Sequence, residues 1–232
     1  MTPARERGVE YLDDPATPEA VRRDALKDLE RSNALFGGRA AVLRPLLALA
    51  PALPRHALLL DVGAGAGEIA ERARVALAWA GVDARVVGVD AVASVIRAAR
   101  PRLHAGVAAD ALRLPVRDRG ADVVICSQLL HHFEHDDAVA LIAELHRVAR
   151  GWVVIADLRR SRLAAGLFRI AGLALNFHHV TRHDGVVSVM RGFSADELAG
   201  LVRQATGTTP TMRRGLFWRI SATWRAGTAD GA

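Results

Sequence analysis

Apolar positions along the chain follow two different rhythms. Up to about residue 54 they recur at helical spacing, which predicts one helix over 17–36, with Thr17 as its N-cap, and a second over 39–53. Beyond residue 54, short runs rich in Val, Ile and Leu alternate with helical stretches. These runs are the expected strands, and they cover 57–63, 84–90, 104–111, 121–128 and 151–158. Near-continuous apolar strands separated by helices predict an α/β fold with a doubly wound, Rossmann-like parallel sheet.

The end of the chain departs from this alternation. Ser194 and Glu197 have the spacing of a capping box, so a helix is expected to begin there. Two strand-like pieces follow, at 210–214 and 216–224, and the short link between them suits a hairpin. One of the two must then run antiparallel to the other strands. We therefore expect a seven-stranded sheet whose last strand is antiparallel.

The same pattern divides the chain into two parts. Residues 1–54 form an N-terminal helical cap, and residues 55–232 form the sheet domain. An insert at about 159–192 lies between the fifth strand and the next helix, and its stretch 161–180 is strongly apolar. Such an insert can form the core of a lid helix, wall an apolar pocket, or do both.

The composition narrows the class of protein. The 232 residues are 51% hydrophobic, which is enough for one well-filled domain, and the lone Cys126 excludes an internal disulfide. The polar, mixed-charge start is unlike a signal peptide. The longest apolar run, 163–177, is interrupted by Arg169 and is too short to cross a bilayer. We expect a cytoplasmic protein without a membrane span.

The net charge of +6 raises the question of a nucleic-acid partner. Lys27 is the only lysine, and the arginines are scattered among acidic residues rather than gathered into a patch. This distribution is typical of a solvated surface, so we expect a small-molecule partner rather than a nucleic acid.

A glycine-rich loop at the first strand-to-helix junction indicates a ligand. Gly63, Gly65 and Gly67 permit a sharp turn and a close approach of backbone to a bound molecule. The dinucleotide fingerprint would place its third glycine at the position of Glu68, and an acid at a helix N-terminus is a poor neighbour for a pyrophosphate. Asp90 ends the second strand, where a carboxylate can bind both ribose hydroxyls. These features favour an adenosine that carries something other than phosphate.

The ordered set of these motifs resembles the class I S-adenosylmethionine (SAM)-dependent methyltransferases. The resemblance rests on Asp61, on the three glycines, on Asp90 and on "ADAL" at 109–112, and it covers about residues 55–225. It implies that SAM is the cofactor. The residues then expected to bind SAM are Asp61, Gly63, Gly65, Gly67, Asp90, Ala91, Asp110, Ala111, Ser127 and Gln128.

The resemblance also implies a role for each part of this set. The glycine loop packs against the methionyl part of SAM, and Asp61 orients its amino group. Asp90 holds the ribose, and Asp110 with the backbone of Ala111 reads the adenine. Ser127 and Gln128, after the fourth strand, line the sulfonium side.

Two histidine clusters follow the fourth and fifth strands. His131 and His132 are adjacent in sequence and are expected to point in different directions, so we predict no bound metal. His178, His179 and His183 lie in the lid insert. Because a hydroxyl acceptor must lose its proton during methyl transfer, a neutral histidine suits the part of general base. His132 and His183 are the leading candidates for that part, with His131 as a third.

The acceptor is expected to be small and apolar or phenolic, and O-methylation is the expected reaction. Residues expected to contact it are Phe36, Arg39, Phe168, Phe177, His178 and His179. "LLHHF" resembles a stretch of small-molecule methyltransferases, including the ubiquinone/menaquinone biosynthesis type. "RHDGVVSVMRGFS" resembles small methyltransferases encoded with bacterial type III polyketide synthases, which implies a phenolic acceptor and biosynthetic partner enzymes.

Two other functions stay open at this stage. A nicotinamide-dependent oxidoreductase would use the same fold, but Glu68 in place of a third glycine argues against it. A non-catalytic SAM-binding partner protein would carry the same glycine loop.

Overall fold

The computed structural model describes residues 2–6, 8–14 and 16–227. The strands are β1 (His56–Val62), β2 (Asp83–Asp90), β3 (Ala105–Ala108), β4 (Ala121–Ser127), β5 (Ala149–Leu158), β6 (Thr211–Arg214) and β7 (Arg219–Arg225). The helices are α1 (Glu19–Leu35), α2 (Gly38–Leu49), α3 (Glu68–Trp79), α4 (Ala93–Ala99), α5 (His135–Val148), α6 (Arg162–Ala174), α7 (His179–Arg191) and α8 (Ala195–Thr206).

Within the described residues, the strands form one seven-stranded sheet in the order β3-β2-β1-β4-β5-β7-β6. β1 to β5 are parallel, β7 runs antiparallel to β5, and β6 pairs antiparallel with β7. This confirms the predicted Rossmann-like sheet with an antiparallel last strand. The strand order reverses between β1 and β4, and in such sheets the ligand crevice lies beyond the carboxyl ends of the strands at that point.

Helices cover both faces of the sheet. Leu141 and Leu145 of α5 and Leu198 of α8 are fully buried in the core on one face. Leu46 of α2 and Leu77 of α3 are fully buried in the core on the other. α2 is therefore a layer of the sheet domain as well as part of the N-terminal segment. β4, at the centre, is buried along nearly its whole length, as a continuous apolar run requires.

α1, α6 and α7 lie together beyond the carboxyl ends of the strands. α7 contacts both α1 and α6. The carboxylate of the buried Asp28 in α1 accepts a hydrogen bond of 2.7 Å from the backbone N–H of His178, just before α7. The insert after the fifth strand is thus helical and tied to the N-terminal segment, while Ile170 and Leu173 of α6 remain mostly exposed.

One helix start differs from the sequence prediction. α1 begins at Glu19 with Pro18 as the flanking residue, and Thr17 is not its N-cap. The Thr17 hydroxyl instead donates to the backbone carbonyl of Tyr11, and Arg22 donates to that of Leu12, which holds the N-terminal segment against α1. The capping box of Ser194 and Glu197 at α8 is formed as predicted.

Over residues 2–6, 8–14 and 16–227, no single helix is long and apolar enough to cross a membrane. Glu19–Leu35 and Gly38–Ala52 pass that test only as a pair, bent by 60°.

Candidate functional site

A cavity of about 940 Å³ opens at the carboxyl ends of the parallel strands. One half of its wall comes from the loops after β1, β2, β3 and β4. The other half comes from α1, α7, the end of β5 and the N-terminal segment. The position beside the reversal of strand order is where this type of sheet binds its ligand.

The glycine loop forms the floor of the first half. Its three glycines have φ values of 75°, 53° and 76°, a left-handed conformation that favours glycine. The backbone N–H groups of Gly63 and Ala64 donate to the carbonyl of Val89, and that of Gly65 donates to the Asp90 carboxylate at 2.9 Å. A Cβ at Gly65 would meet no atom within 4 Å, so the loop leaves open space there.

Asp61 is a buried carboxylate in the cavity wall. The residue is 1% exposed. Neither oxygen of its carboxylate has a hydrogen-bond partner among the described residues. Burial, and secondarily the nearby Asp90, raises the pKa of Asp61 to about 7. A buried carboxylate left without a donor fits a cationic ligand group, and the ammonium of the SAM methionyl part is such a group.

Asp90 and Asp110 occupy the ends of their strands as expected. Asp90 accepts from the N–H groups of Gly65 and Val92, and Asp110 accepts from that of Leu112 at 2.9 Å. These bonds orient both carboxylates and leave lone pairs for ribose hydroxyls and an adenine amino group. The predicted cofactor residues that line this one cavity are Asp61, Gly63, Gly65, Asp90, Ala91, Asp110, Ala111, Ser127 and Gln128.

Gly67 lies outside that wall. A Cβ at this position would face Ala99 and Arg102, on the side of the loop away from the cavity. Gly67 flanks the start of α3 with φ 76°, so its part is to turn the chain into the helix.

His131 lies at the boundary between the two halves. It is 2% exposed and sits on a short 3-10 turn, Leu130–His132, directly after β4. Its Nδ1 is 2.7 Å from Oδ1 of Asp157, the last but one residue of β5, and its Nε2 has no protein hydrogen-bond partner within the described chain. Burial alone would raise the pKa of Asp157, but its pairing with His131 and its backbone hydrogen bonds outweigh burial and lower that pKa. The Asp157 carboxylate thus orients the ring and leaves Nε2 without a hydrogen bond.

The expectation that His131 and His132 point in different directions is wrong. Their ring centroids are 4.3 Å apart, with 33° between the ring planes. Both Nε2 atoms face the carboxylate of Glu10, at 3.7 and 3.8 Å. Asp157 and Asp13 hold the two Nδ1 atoms, so both rings turn their Nε2 atoms toward Glu10. Burial raises the pKa of Glu10 to about 7.

This cluster has the shape of a metal site. The ligand atoms of Glu10, His131 and His132 lie within 4.8 Å of one another, and carboxylates that hold the Nδ1 atoms are typical of metal-binding histidines. The carboxylate of Glu10, however, already has a hydrogen-bond donor and a positive charge close to it. Ser188 donates to its Oε1 at 2.9 Å, and the guanidinium of Arg191 lies 3.5 Å from the same oxygen. The absence of a bound metal therefore stays a prediction.

The histidines of the lid insert lie outside the cavity wall. His183 is 45% exposed at its side chain, with its ring 4.6 Å from that of Tyr11 and its Nδ1 on Asp184. His178 flanks the start of α7, where its Nδ1 accepts from Val180, and His179 stacks on it. The first turn of α7 is fixed to α1 through Asp28, which turns these rings away from the ligand space.

Among the aromatic and basic residues expected at the acceptor, Phe168 lines the cavity. Phe36 packs edge-on against Phe168 from behind, at 5.9 Å, and Phe177 is 2% exposed behind the same ring. Arg39 is paired with Glu68 at 2.6 Å. These three residues support the wall rather than form it.

The structure adds residues that sequence patterns missed. Glu10 and Asp157 carry no motif of their own, although an acid inside a Val- and Ile-rich strand was a usable signal for Asp157. Arg219 is buried at the start of β7 and reaches the cavity. Its Nη1 donates to Oε1 of Gln128 at 2.6 Å, and Nε2 of Gln128 donates to Oδ1 of Asn33 at 2.6 Å.

Comparison with known proteins agrees with this geometry. Residues 59–151 match the family model described as a methyltransferase domain. A search of curated proteins finds no match. The chain has 28% sequence identity to a protein solved in work on "conversion of a disulfide bond into a thioacetal group during echinomycin biosynthesis". That match covers 78% of this chain and 80% of the other, with a TM-score of 0.54.

Two further solved structures share the fold at lower identity. Magnesium protoporphyrin IX methyltransferase from Synechocystis PCC 6803, with bound SAH (S-adenosylhomocysteine), is 17% identical over 92% of this chain and 90% of that one, with a TM-score of 0.55. An O-methyltransferase from neocarzinostatin biosynthesis is 18% identical over 93% of this chain and 61% of that one, with a TM-score of 0.64. The match identifies residues 59–151 as a methyltransferase domain, and the fold and the cavity agree with SAM as its cofactor.

Proposed function

We propose that the protein methylates a hydroxyl group of a small phenolic or otherwise apolar acceptor, with His131 as the general base. One observation carries the proposal. His131 lines the cavity, its buried Nε2 has no hydrogen-bond partner in the described chain and lies 3.7 Å from the Glu10 carboxylate, and Asp157 holds the opposite ring nitrogen at 2.7 Å. Sequence alone favoured His132 and His183, and the geometry supports the third candidate instead.

Bound SAM supplies a methyl group activated by its sulfonium. The protein must then position the acceptor and take up its proton. Asp157 favours the His131 tautomer that carries a proton on Nδ1, so Nε2 has a free lone pair. That lone pair accepts the hydroxyl proton, and the buried Asp157 carboxylate stabilises the imidazolium that forms.

The lining of the second half fits an apolar acceptor. Leu26 and Leu29 of α1, Phe133, Phe168 and Val189 contribute to its wall. Since one cavity of about 940 Å³ must hold both SAM and acceptor, a small acceptor is favoured. The neocarzinostatin O-methyltransferase, whose structure contains 1,4-dihydroxy-2-naphthoic acid, supports a hydroxylated aromatic ring as the class to test.

The surrounding segments fit a cap and a lid. Residues 1–54 supply α1 and Glu10, and the insert at about 159–192 supplies Phe168 and α7 to the same wall. The resemblance to polyketide-associated methyltransferases supports partner enzymes of a biosynthetic pathway, and we place the protein in the cytoplasm.

The test is methyl transfer from SAM to a panel of phenols and naphthols, followed by mass spectrometry. In His131→Asn the side-chain amide still donates to Asp157 but offers no basic nitrogen, so turnover is expected to fall by about 10²–10⁴-fold. His183→Asn is the matched control, since its ring lies outside the cavity, and its turnover should stay within about two-fold of the parent.

Two results would contradict the proposal. One is a His131→Asn variant that binds SAM normally and keeps its turnover and pH profile. The other is a panel on which no hydroxyl is methylated while another acceptor class is.

A further inference from the structure

Arg219 is a buried cation without an acidic partner. It is 4% exposed, and the two acceptors of its hydrogen bonds are both neutral: the carbonyl of Phe36 at 3.0 Å and Oε1 of Gln128 at 2.6 Å. Across residues 2–6, 8–14 and 16–227, no carboxylate oxygen lies within 4.0 Å of its guanidinium. Burial lowers the pKa of Arg219 to about 10, with Asp157 opposing the shift, so the group remains charged at neutral pH. A buried charge that lacks a counter-ion is costly unless a ligand supplies one.

The guanidinium has donors left for such a ligand. A guanidinium carries five N–H groups, and the two bonds to Phe36 and Gln128 use two of them. Arg219 lines the cavity, so its remaining donors are available there. Its planar fork matches the two oxygens of a carboxylate.

The backbone that presents this group is strained. Phe217 and Trp218, directly before Arg219, have φ values of 52° and 55°, and Gln128 has φ 53°. Residues with a Cβ seldom adopt this left-handed conformation, and those that do cluster at functional sites. Here the strained positions are those that set Arg219 and its partner Gln128 against the cavity.

The position of Arg219 favours the acceptor over SAM. In the sheet order β1-β4-β5-β7, the glycine loop after β1 is three strands away from β7, which at the usual strand spacing is roughly 14 Å. Arg219 pairs in register with Leu158, which lies in the half of the cavity wall that we propose for the acceptor. The next pair in the register joins Ile220 to Asp157. The cation and the residue that holds His131 thus share one strand end.

We propose that Arg219, supported by Gln128, binds a carboxylate group of the methyl acceptor, so that the acceptor is an aromatic hydroxy acid. This deepens the proposed function and rests on it for the hydroxyl. The carboxylate of the acceptor would be the counter-ion of the Arg219 guanidinium and would hold the hydroxyl of the acceptor near His131.

The test is binding to the SAH-loaded protein by calorimetry, which needs no turnover. The probes are 2-hydroxybenzoate and 3-hydroxy-2-naphthoate, each compared with its neutral amide. In the parent protein at least one acid is expected to bind ten-fold or more tightly than its amide. Arg219→Gln should remove that preference, and Arg219→Lys should keep part of it. Arg214→Gln, an exposed arginine on the same hairpin, is the matched control and should behave as the parent.

A second variant covers the event that Arg219→Gln does not fold. Gln128→Glu keeps the shape of the side chain and places a carboxylate 2.6 Å from Nη1 of Arg219, so it should also abolish the preference for the acid. SAH affinity should stay within about three-fold of the parent in Arg219→Gln, Arg219→Lys and Arg214→Gln, and for Gln128→Glu the ratio of acid to amide affinity is the measurement that counts.

The proposal is wrong if neither acid binds better than its amide, or if the preference survives in both Arg219→Gln and Gln128→Glu. It is also wrong if the variants lose SAH affinity while the acid-to-amide ratio is unchanged, because Arg219 would then serve the carboxylate of the cofactor. Absence of methyl transfer with intact acid binding would count against the proposed O-methylation and leave this inference standing.

Discussion

At the scale of single residues, three buried polar groups without partners lie together in the cavity wall. The carboxylate of Asp61, Oγ of Ser127 and Nε2 of His131 are all buried and lack hydrogen-bond partners in the described chain, and all three residues line the cavity. Folded proteins rarely leave such groups unsatisfied, because each one loses its hydration without compensation. Their gathering in one cavity is therefore accounted for by groups that the ligands bring.

The substitution Asp61→Asn tests whether the buried Asp61 carboxylate binds the ammonium group of SAM. We expect SAM affinity to fall about ten-fold or more, because a charged hydrogen bond contributes about 1.5–3 kcal/mol and an amide is neutral. Calorimetry with SAM measures the change, and Asp137→Asn, at an exposed carboxylate, is the control. If affinity is the same in parent and Asp61→Asn, then Asp61 does not hold the ammonium group.

The cluster of Glu10, His131 and His132 gives a second prediction at this scale. We expect protein purified without a histidine tag to contain no stoichiometric metal after dialysis. Ser188 already donates a hydrogen bond to the Glu10 carboxylate. The guanidinium of Arg191, 3.5 Å from the same carboxylate, repels a divalent cation. Elemental analysis decides the matter. About one equivalent of zinc that survives dialysis, and disappears in Glu10→Gln, would refute the prediction.

At the scale of elements, the N-terminal segment holds the turn that carries the histidines. Arg5 donates through Nη2 to the backbone carbonyls of His131 and Phe133, at 2.8 and 2.7 Å, and through Nε to that of Arg191 at 2.6 Å. Its guanidinium also lies 4.1 Å from the centre of the Phe193 ring. One side chain thus joins the N-terminal segment, the 3-10 turn and the end of α7.

Arg5→Ala should therefore loosen three elements at once. A loss of about 2 kcal/mol is expected from its charged hydrogen bonds, which for a chain of this size lowers the Tm by roughly 4–8 °C. Thermal denaturation measures the shift, and Arg23→Ala, an exposed arginine of α1, should leave the Tm within about 1 °C. Equal melting of both variants would show that the contacts of Arg5 add no net stability.

At the scale of the whole molecule, two buried acids make the stability of the ligand-free protein depend on pH. The pKa values of Asp61 and Glu10 in the folded state are both about 7, raised from ordinary values of 3.8 and 4.5 chiefly by burial. Between those ordinary values and pH 7 the folded state holds protons that the unfolded chain has released. Rising pH therefore favours unfolding across this window.

We expect the ligand-free protein to melt at a higher temperature at pH 5.5 than at pH 8. For Asp61 the rise in pKa from 3.8 to about 7 corresponds to about 4 kcal/mol over the full window, and about half of this falls between pH 5.5 and pH 8. Asp157 has a lowered pKa, so its contribution is lost only under more acidic conditions and does not act in this range. SAM should stabilise more strongly at pH 8, since its ammonium group would neutralise ionised Asp61. A flat or opposite pH dependence, unchanged in Asp61→Asn, would contradict this account.

Local patterns in the sequence determined the sheet, its antiparallel end and the cofactor class. Continuous apolar runs such as 121–128 can be satisfied only between two helical layers, and the glycine loop and the acids after β1, β2 and β3 are short-range features of known geometry. Because the carboxyl ends of neighbouring parallel strands meet at one edge, residues far apart in sequence could be assigned to one site. All the predicted cofactor residues except Gly67 do line a single cavity.

Only the tertiary structure decided which polar groups line the half of the cavity that we propose for the acceptor. Glu10 lines the cavity but belongs to a segment without a recognisable motif. Arg219 follows a hairpin turn in which two aromatic residues have a left-handed backbone conformation. The choice of His131 over His132 and His183 depends on which ring nitrogen Asp157 holds, across 26 residues of sequence. Such pairings are set by the packing of loops over the sheet edge, where side-chain direction has no fixed period along the chain. Local motifs therefore located the residues expected to bind SAM, and contacts between distant segments determined the lining of the other half of the cavity.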